Sequence, residues 1–142
     1  MKITIITILT LGLFSTMSAQ ADSISNDRIN LFRTMGKNMK VISQADNVKV
    51  ALNAANTLNK IANKLSDSSL WPVNSGGDNT RAKNEIWDNL TDFNKKFESL
   101  KEATKNLVNI ASLGDLENTQ NAFRKIGRTC GSCHRVYRSP KK

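Results

Sequence analysis

The two cysteines and the single histidine of this 142-residue chain fall within five consecutive positions, Cys130-Gly131-Ser132-Cys133-His134. A C-x-x-C-H run is the pattern by which a c-type haem is attached covalently. The two thiols can add to the two vinyl groups of haem as thioethers, and the adjoining imidazole can place a nitrogen on the iron as proximal ligand. On a helix Cys130 and Cys133 stand three apart and Cys130 and His134 four apart, so one face carries all three. Whatever packs around that helix must therefore leave room for a flat cofactor. A structural zinc site wants four Cys/His ligands, and the chain holds three. A dithiol redox pair would need a strand–helix–strand setting, and nothing around the motif reads as strand. A structural disulfide is the remaining bland alternative.

The beginning of the chain carries an address. Met1-Lys2 is followed by the apolar run from Ile3 to Phe14 and by Ser18-Ala19-Gln20-Ala21. A positive start, a short apolar stretch and an A-x-A site read as a secretory signal peptide over residues 1–21, cut after Ala21. An uncleaved anchor is the alternative, but the run falls short of the roughly 20 residues a spanning helix needs. Export to the periplasm is the expectation, and it agrees with the haem motif. Cleavage would leave residues 22–142, one domain large enough for a real core.

The formal net charge is +9, and only Lys2 would leave with residues 1–21. Basic charge raises nucleic acid as a partner, yet no basic cluster is interleaved with aromatic residues. A solvated basic surface, or steering toward an acidic redox partner or anionic membrane, accounts for it better.

Between these ends the chain reads as four amphipathic helices. Ser25-Asn26-Asp27 offers N-cap chemistry, and from Arg28 to about Ser43 the residues Ile29, Phe32, Met35, Met39 and Ile42 recur at steps of three and four. Gln44–Asn47 interrupts, and a second stripe runs Ala51, Ala55, Leu58, Ile61/Ala62 and Leu65. Residues 66–78, with Pro72, Gly76 and Gly77, read as a loop of a length that often contributes to a site. A third helix is expected from about Arg81 to Asn109 with the stripe Ile86, Leu90, Phe93, Phe97, Leu100, Thr104 and Leu107. Leu113-Gly114-Asp115 is a C-cap followed by an N-cap. The fourth helix carries Leu116, Phe123, Ile126, Cys130, Cys133/His134 and Tyr137. Gly127, one turn before Cys130, would let a flat cofactor approach. No window alternates with period two. The expected fold is all-α, an antiparallel up-down four-helix bundle with one covalently bound haem inside one end.

With these elements in place the chain resembles the cytochrome c′ family and its relatives the cytochromes c-556, over essentially all of residues 22–142. The resemblance rests on Cys130-Gly-Ser-Cys133-His134-Arg-Val-Tyr137-Arg138. Gly76-Gly77-Asp78 leading to Asn84-Glu85-Ile86-Trp87, and the opening segment Leu31-Phe32-Arg33-Thr34-Met35-Gly36-Lys37-Asn38-Met39, add to it. In c-556 proteins a first-helix methionine fills the sixth iron position, giving a low-spin electron carrier. In cytochromes c′ an apolar residue leaves the iron five-coordinate and high-spin. Here the ligand position of the shared pattern falls on Phe32, which cannot bind iron. The resemblance therefore implies a vacant, crowded distal face open to nitric oxide or carbon monoxide. Met35, one turn on, is the rival sixth ligand, and core packing is the default for Met39. The resemblance further implies that Arg28 reaches a haem propionate, with plain surface charge as its alternative. It also places Trp87 and Phe93 near the macrocycle and Arg138 beside the proximal histidine, while Tyr137 is expected to pack.

Two function classes follow. The first is a haem protein that transfers electrons or binds NO or CO, its redox partner unidentified, and not an enzyme. The apolar distal side lacks the acid–base group that peroxidase chemistry requires. The second is a haem-free exported bundle that binds partners, which leaves His134 next to the cysteines without a role. Family resemblance also implies a homodimer through the first two helices.

Overall fold

The computed structural model describes residues 15–73, 75–76 and 79–140, with side chains from Gln20 onward. Most of the expected export signal lies outside the described residues. Four long helices and one short one follow in order: α1 Ser15–Ser43, α2 Val48–Leu65, α3 Glu85–Asp88, α4 Leu90–Ser112 and α5 Leu116–Tyr137, with a 3₁₀ turn at Ser68–Leu70 before α3. None of the helices described is long and apolar enough to cross a membrane.

Local chemistry sets the helix ends. Asn47, in extended backbone, caps α2 by accepting from the Val50 N–H at 3.0 Å. Asp115 does the same for α5 through the Asn118 N–H at 2.9 Å. These side chains satisfy amides that have no partner within the first turn. Between α4 and α5, Gly114 takes φ +86°, where a side chain would be strained. The two tight connections, 44–47 and 113–115, force their helices to run antiparallel.

The long helices then pack through their apolar faces, α4 against both α2 and α5, and α1 against α2. On α2 that face is rich in alanine, with Ala51, Ala54, Ala55 and Ala62 buried beside Leu58, Ile61 and Leu65. Small side chains allow the neighbouring helix axes to approach. α4 answers with Phe93, Phe97, Leu100 and Leu107. At the far end of the bundle Gln120 on α5 donates to the Ile42 carbonyl of α1. The start of α1, the end of α2, the start of α4 and the end of α5 consequently meet at the opposite end, together with the 66–84 connection.

Three expectations need correction there. Ser25–Asp27 do not cap α1, which runs through them. Ser25 is instead buried, its hydroxyl donating to the Ser75 carbonyl at 3.0 Å. The third helix does not begin at Arg81. Residues 81–83 pair with the chain end, through Lys83 N–H to Tyr137 C=O at 3.1 Å and Ser139 N–H to Arg81 C=O at 2.8 Å. The turn α3 follows, and at Asn89 the backbone leaves helical geometry (φ −141°, ψ 60°) so that its side chain can cap α4. Periodicity was blind to both features because a paired extended segment and a side-chain cap leave the apolar spacing intact. Gly127, finally, is exposed, and a Cβ built there meets nothing within 4 Å. It lies off the face that Ile126, Cys130, Cys133 and Tyr137 share.

Candidate haem site

At the end where the four long helices and the connection converge lies a cavity of about 750 Å³. It is of a size typical of small-molecule and cofactor sites. α5 contributes Cys130, Cys133 and His134, all of which line it. α1 contributes Arg28, Phe32, Met35 and Met39, α4 contributes Phe93, Phe97 and Leu100, and Tyr137 and Arg138 close the α5 side. Of the candidate residues from the sequence, only Trp87 is not a lining residue. Its indole lies against Gly76, where an added Cβ would come within 3.3 Å of the ring, and its Nε1–H donates to the Trp71 carbonyl at 3.2 Å. It holds the connection in place and does not face the cavity.

The aromatic residue that does face it from the connection is Trp71, which the sequence alone did not single out. Its signal was an aromatic residue beside Pro72 in a loop long enough to reach a site. Only 9% of Trp71 is exposed, and its Nε1–H donates to the Leu65 carbonyl at 2.7 Å. The ring packs edge-on against Phe93 at 4.7 Å and Phe32 at 6.5 Å, with Phe97 at 5.6 Å, so one aromatic cluster forms the wall.

Arg28 turns out not to be a surface charge. It is 2% exposed, and its guanidinium stands 4.7 Å over the Trp71 ring. One terminal nitrogen donates to the Leu70 carbonyl at 3.0 Å and to Ser75 Oγ at 2.7 Å, and the other to Ser25 Oγ at 2.9 Å and to the Ser75 carbonyl. Every one of these acceptors is neutral. Burial lowers its pKa, yet an arginine keeps its proton, so a buried positive charge without a carboxylate partner among the described residues borders the cavity.

The motif residues are electrostatically distinctive. Both thiols are free, and burial pushes both upward, Cys133 to about 11 with the neighbouring Cys130 adding to it. A dithiol oxidoreductase needs the reverse, a depressed thiol pKa. For His134, burial and then the positive charges of Arg138 and Arg81 lower the pKa, which keeps the imidazole neutral and its lone pair available. Tyr137 donates its hydroxyl to Asp92 on α4 at 2.6 Å and stacks edge-on against Phe93 at 5.1 Å. That fixes the last turn of α5, and with it the orientation of His134. Phe32 covers the cavity from α1 while 37% exposed, and Met35 lies deeper at 6%. Free thiols, a neutral imidazole, an aromatic wall and a buried cation are a donor set that suits a haem with its two carboxylates.

Comparison with known proteins agrees with this chemistry. Residues 23–138 match the family described as Cytochrome C′. A cytochrome c-554 of Cereibacter sphaeroides is 36% identical over 93 residues, 63% of this chain and 68% of that protein. A cytochrome c′ of Allochromatium vinosum is 34% identical over 89 residues, 61% of this chain and 58% of its own length. Among solved structures, a cytochrome c′ with an unusual ligand-controlled dimer dissociation superposes with a TM-score of 0.78 at 29% identity, covering 84% of this chain and 97% of that one. Fold, cavity and sequence together make this chain a member of the cytochrome c′ family, whose proteins carry haem c.

Proposed function

We propose that the protein is an exported monohaem cytochrome that holds haem c through thioethers at Cys130 and Cys133, with His134 as the axial ligand. The observation that carries it is that these three residues, the only ones of their kinds in the chain, all line one cavity walled by α1, α4, α5 and the 66–84 connection. Bound there, haem would supply a one-electron couple and a site for a diatomic ligand. The chain's residues do the rest. Arg28, its terminal nitrogens bonded to neutral acceptors, would complement a propionate through its charge, which no carboxylate among the described residues offsets. Phe32, Trp71 and Phe93 exclude water, and Phe32 has no atom able to ligate iron. Arg138 borders His134 and helps keep it neutral. The function is electron transfer, binding of NO or CO at a five-coordinate high-spin iron, or both, without enzymatic turnover.

A second reading has support of its own. Met35 is buried and lines the same cavity from α1, and its thioether is a competent iron ligand. Optical spectra of the purified protein, ferric and ferrous, with and without carbon monoxide, decide between them. A high-spin spectrum that shifts with carbon monoxide is expected. A low-spin spectrum indifferent to carbon monoxide would put Met35 on the iron and leave electron transfer alone. A colourless protein after expression with a haem-attachment system would refute both.

The proposal includes export with cleavage after Ala21. Cleavage there would leave Asp22, whose carboxylate already accepts from Asn79 at 3.3 Å, in the first turn of α1, where an acidic side chain complements the helix dipole. N-terminal sequencing of the periplasmic form would show it. Exposed Val41 on α1 and Val50 on α2 support a homodimer through those helices, which sedimentation velocity would test.

A further inference from the structure

We propose that the mouth of the cavity is the docking surface for a protein partner that presents carboxylates, so that electrons pass to or from an acidic protein at this end of the bundle. The inference rests on the haem proposal above and names the partner class for that same site.

The cavity is bordered by Arg28, Arg33, Arg81, Lys96 and Arg138, and by no aspartate or glutamate among the described residues. Arg28 is committed internally. The other four come from separate elements: Arg33 from α1, Arg81 from the extended segment before α3, Lys96 from α4 and Arg138 from the end of α5. Folding therefore gathers charges that are dispersed along the sequence.

Among the described residues the ion pairs are Lys83–Glu85, Lys96–Asp92 and Lys101–Glu98, which leaves the three mouth arginines without a carboxylate. Arg33 and Arg138 are exposed. The Arg81 guanidinium is fixed by the Ser139 carbonyl, at 2.8 Å from Nε, and so held in place as a charge. Arg81 and Arg138 repel across the two segments that the Ala82–Arg138 backbone bridge pairs. Two haem propionates would neutralise part of this collar and leave a surplus. Asp92, which sits behind the lining on Tyr137 and Lys96, offsets the Lys96 charge and leaves the arginines to set the sign of the mouth. A concave opening ringed by one sign of charge focuses the field onto a single partner. A bilayer would be met better by a flat basic face with apolar residues between the charges.

The experiment uses haem-loaded protein and a flavodoxin, an acidic one-electron flavoprotein, as the probe, with reduction followed by stopped flow. The rate should fall roughly tenfold or more between about 10 and 200 mM salt. Arg33→Glu should lower the low-salt rate about threefold, and Arg33→Glu with Arg138→Glu about tenfold and flatten the salt dependence. Lys49→Glu with Lys105→Glu, which changes net charge equally on exposed positions away from the mouth, should change it less than about twofold. The flattened salt dependence is a readout that a shifted haem potential would not produce. Equal losses from the distant pair would overturn the proposal in favour of net charge alone. A salt-indifferent rate, with phosphatidylserine vesicles binding the wild type and not the mouth variant, would overturn it in favour of a membrane surface. A preparation without haem absorbance refutes the haem proposal and this one with it, whereas coloured protein with salt-indifferent rates refutes docking alone.

Discussion

Replacing Arg28 by methionine removes a charge and keeps most of the side-chain volume, at the point where α1 is fastened to the 66–76 connection. The guanidinium serves the Leu70 and Ser75 carbonyls and both the Ser25 and Ser75 hydroxyls. The two serines can re-pair, since Ser25 Oγ already donates to Ser75 C=O. The Leu70 carbonyl cannot, and an unmet buried acceptor costs about 1–3 kcal/mol. Losing the contact with the Trp71 ring adds about 1–2 kcal/mol. Relief of the buried charge offsets several kcal/mol less than it would for an unbonded ion. The expected net loss is about 3 kcal/mol, or a fall in Tm of roughly 10 °C for a domain of this size. Urea denaturation of the haem-loaded protein followed by circular dichroism measures it. Arg28→Lys should recover only part, because one ammonium cannot span Leu70 and Ser75 together. A methionine variant within about 0.5 kcal/mol of wild type, a change typical of neutral surface positions, would refute the idea that Arg28 latches the connection.

Tyr137→Phe should remove the pH dependence contributed by the Tyr137–Asp92 pair. The hydroxyl holds the Asp92 carboxyl below its usual range, so its stabilisation is present above about pH 4 and lost as pH falls through that lowered value. On the alkaline side burial and then Asp92 raise Tyr137 to about 12, so stability present below pH 10 is lost as pH rises toward 12. Thermal melts across pH 2–5 and 9–12 should both flatten in the phenylalanine variant. Gly114→Ala should lower stability by about 1 kcal/mol from backbone strain alone, because φ is +86° and no neighbour obstructs the Cβ; a neutral result in urea melts would contradict that backbone geometry. Leu58→Ala, at 0% exposure on α2, should cost about 3 kcal/mol while leaving the haem spectrum unchanged, since the residue does not line the cavity. A shifted spectrum would mean that the core and the haem site are coupled.

The sequence by itself determined the number of long helices, and it pointed to haem c, the cofactor that membership of the cytochrome c′ family implies. Cys130, Cys133 and His134 carry their meaning in their spacing, and the apolar stripes of α1, α2, α4 and α5 recur with the helical period whatever they pack against. Those are local properties, and local properties survive in a linear reading. What the tertiary structure decided were features made by chain segments far apart in sequence. The burial of Arg28 depends on Ser75, 47 positions away. The choice of Trp71 over Trp87 for the cavity wall depends on how the connection folds back over Gly76. The delayed start of the third helix depends on residues 81–83 finding a partner in 137–139. The positive collar is likewise invisible in sequence, because Arg33, Arg81, Lys96 and Arg138 become neighbours of one opening only when four elements are brought to the same end of the bundle. Helical periodicity reports which face of an element is apolar; which polar and aromatic groups share a cavity is a property of packing alone.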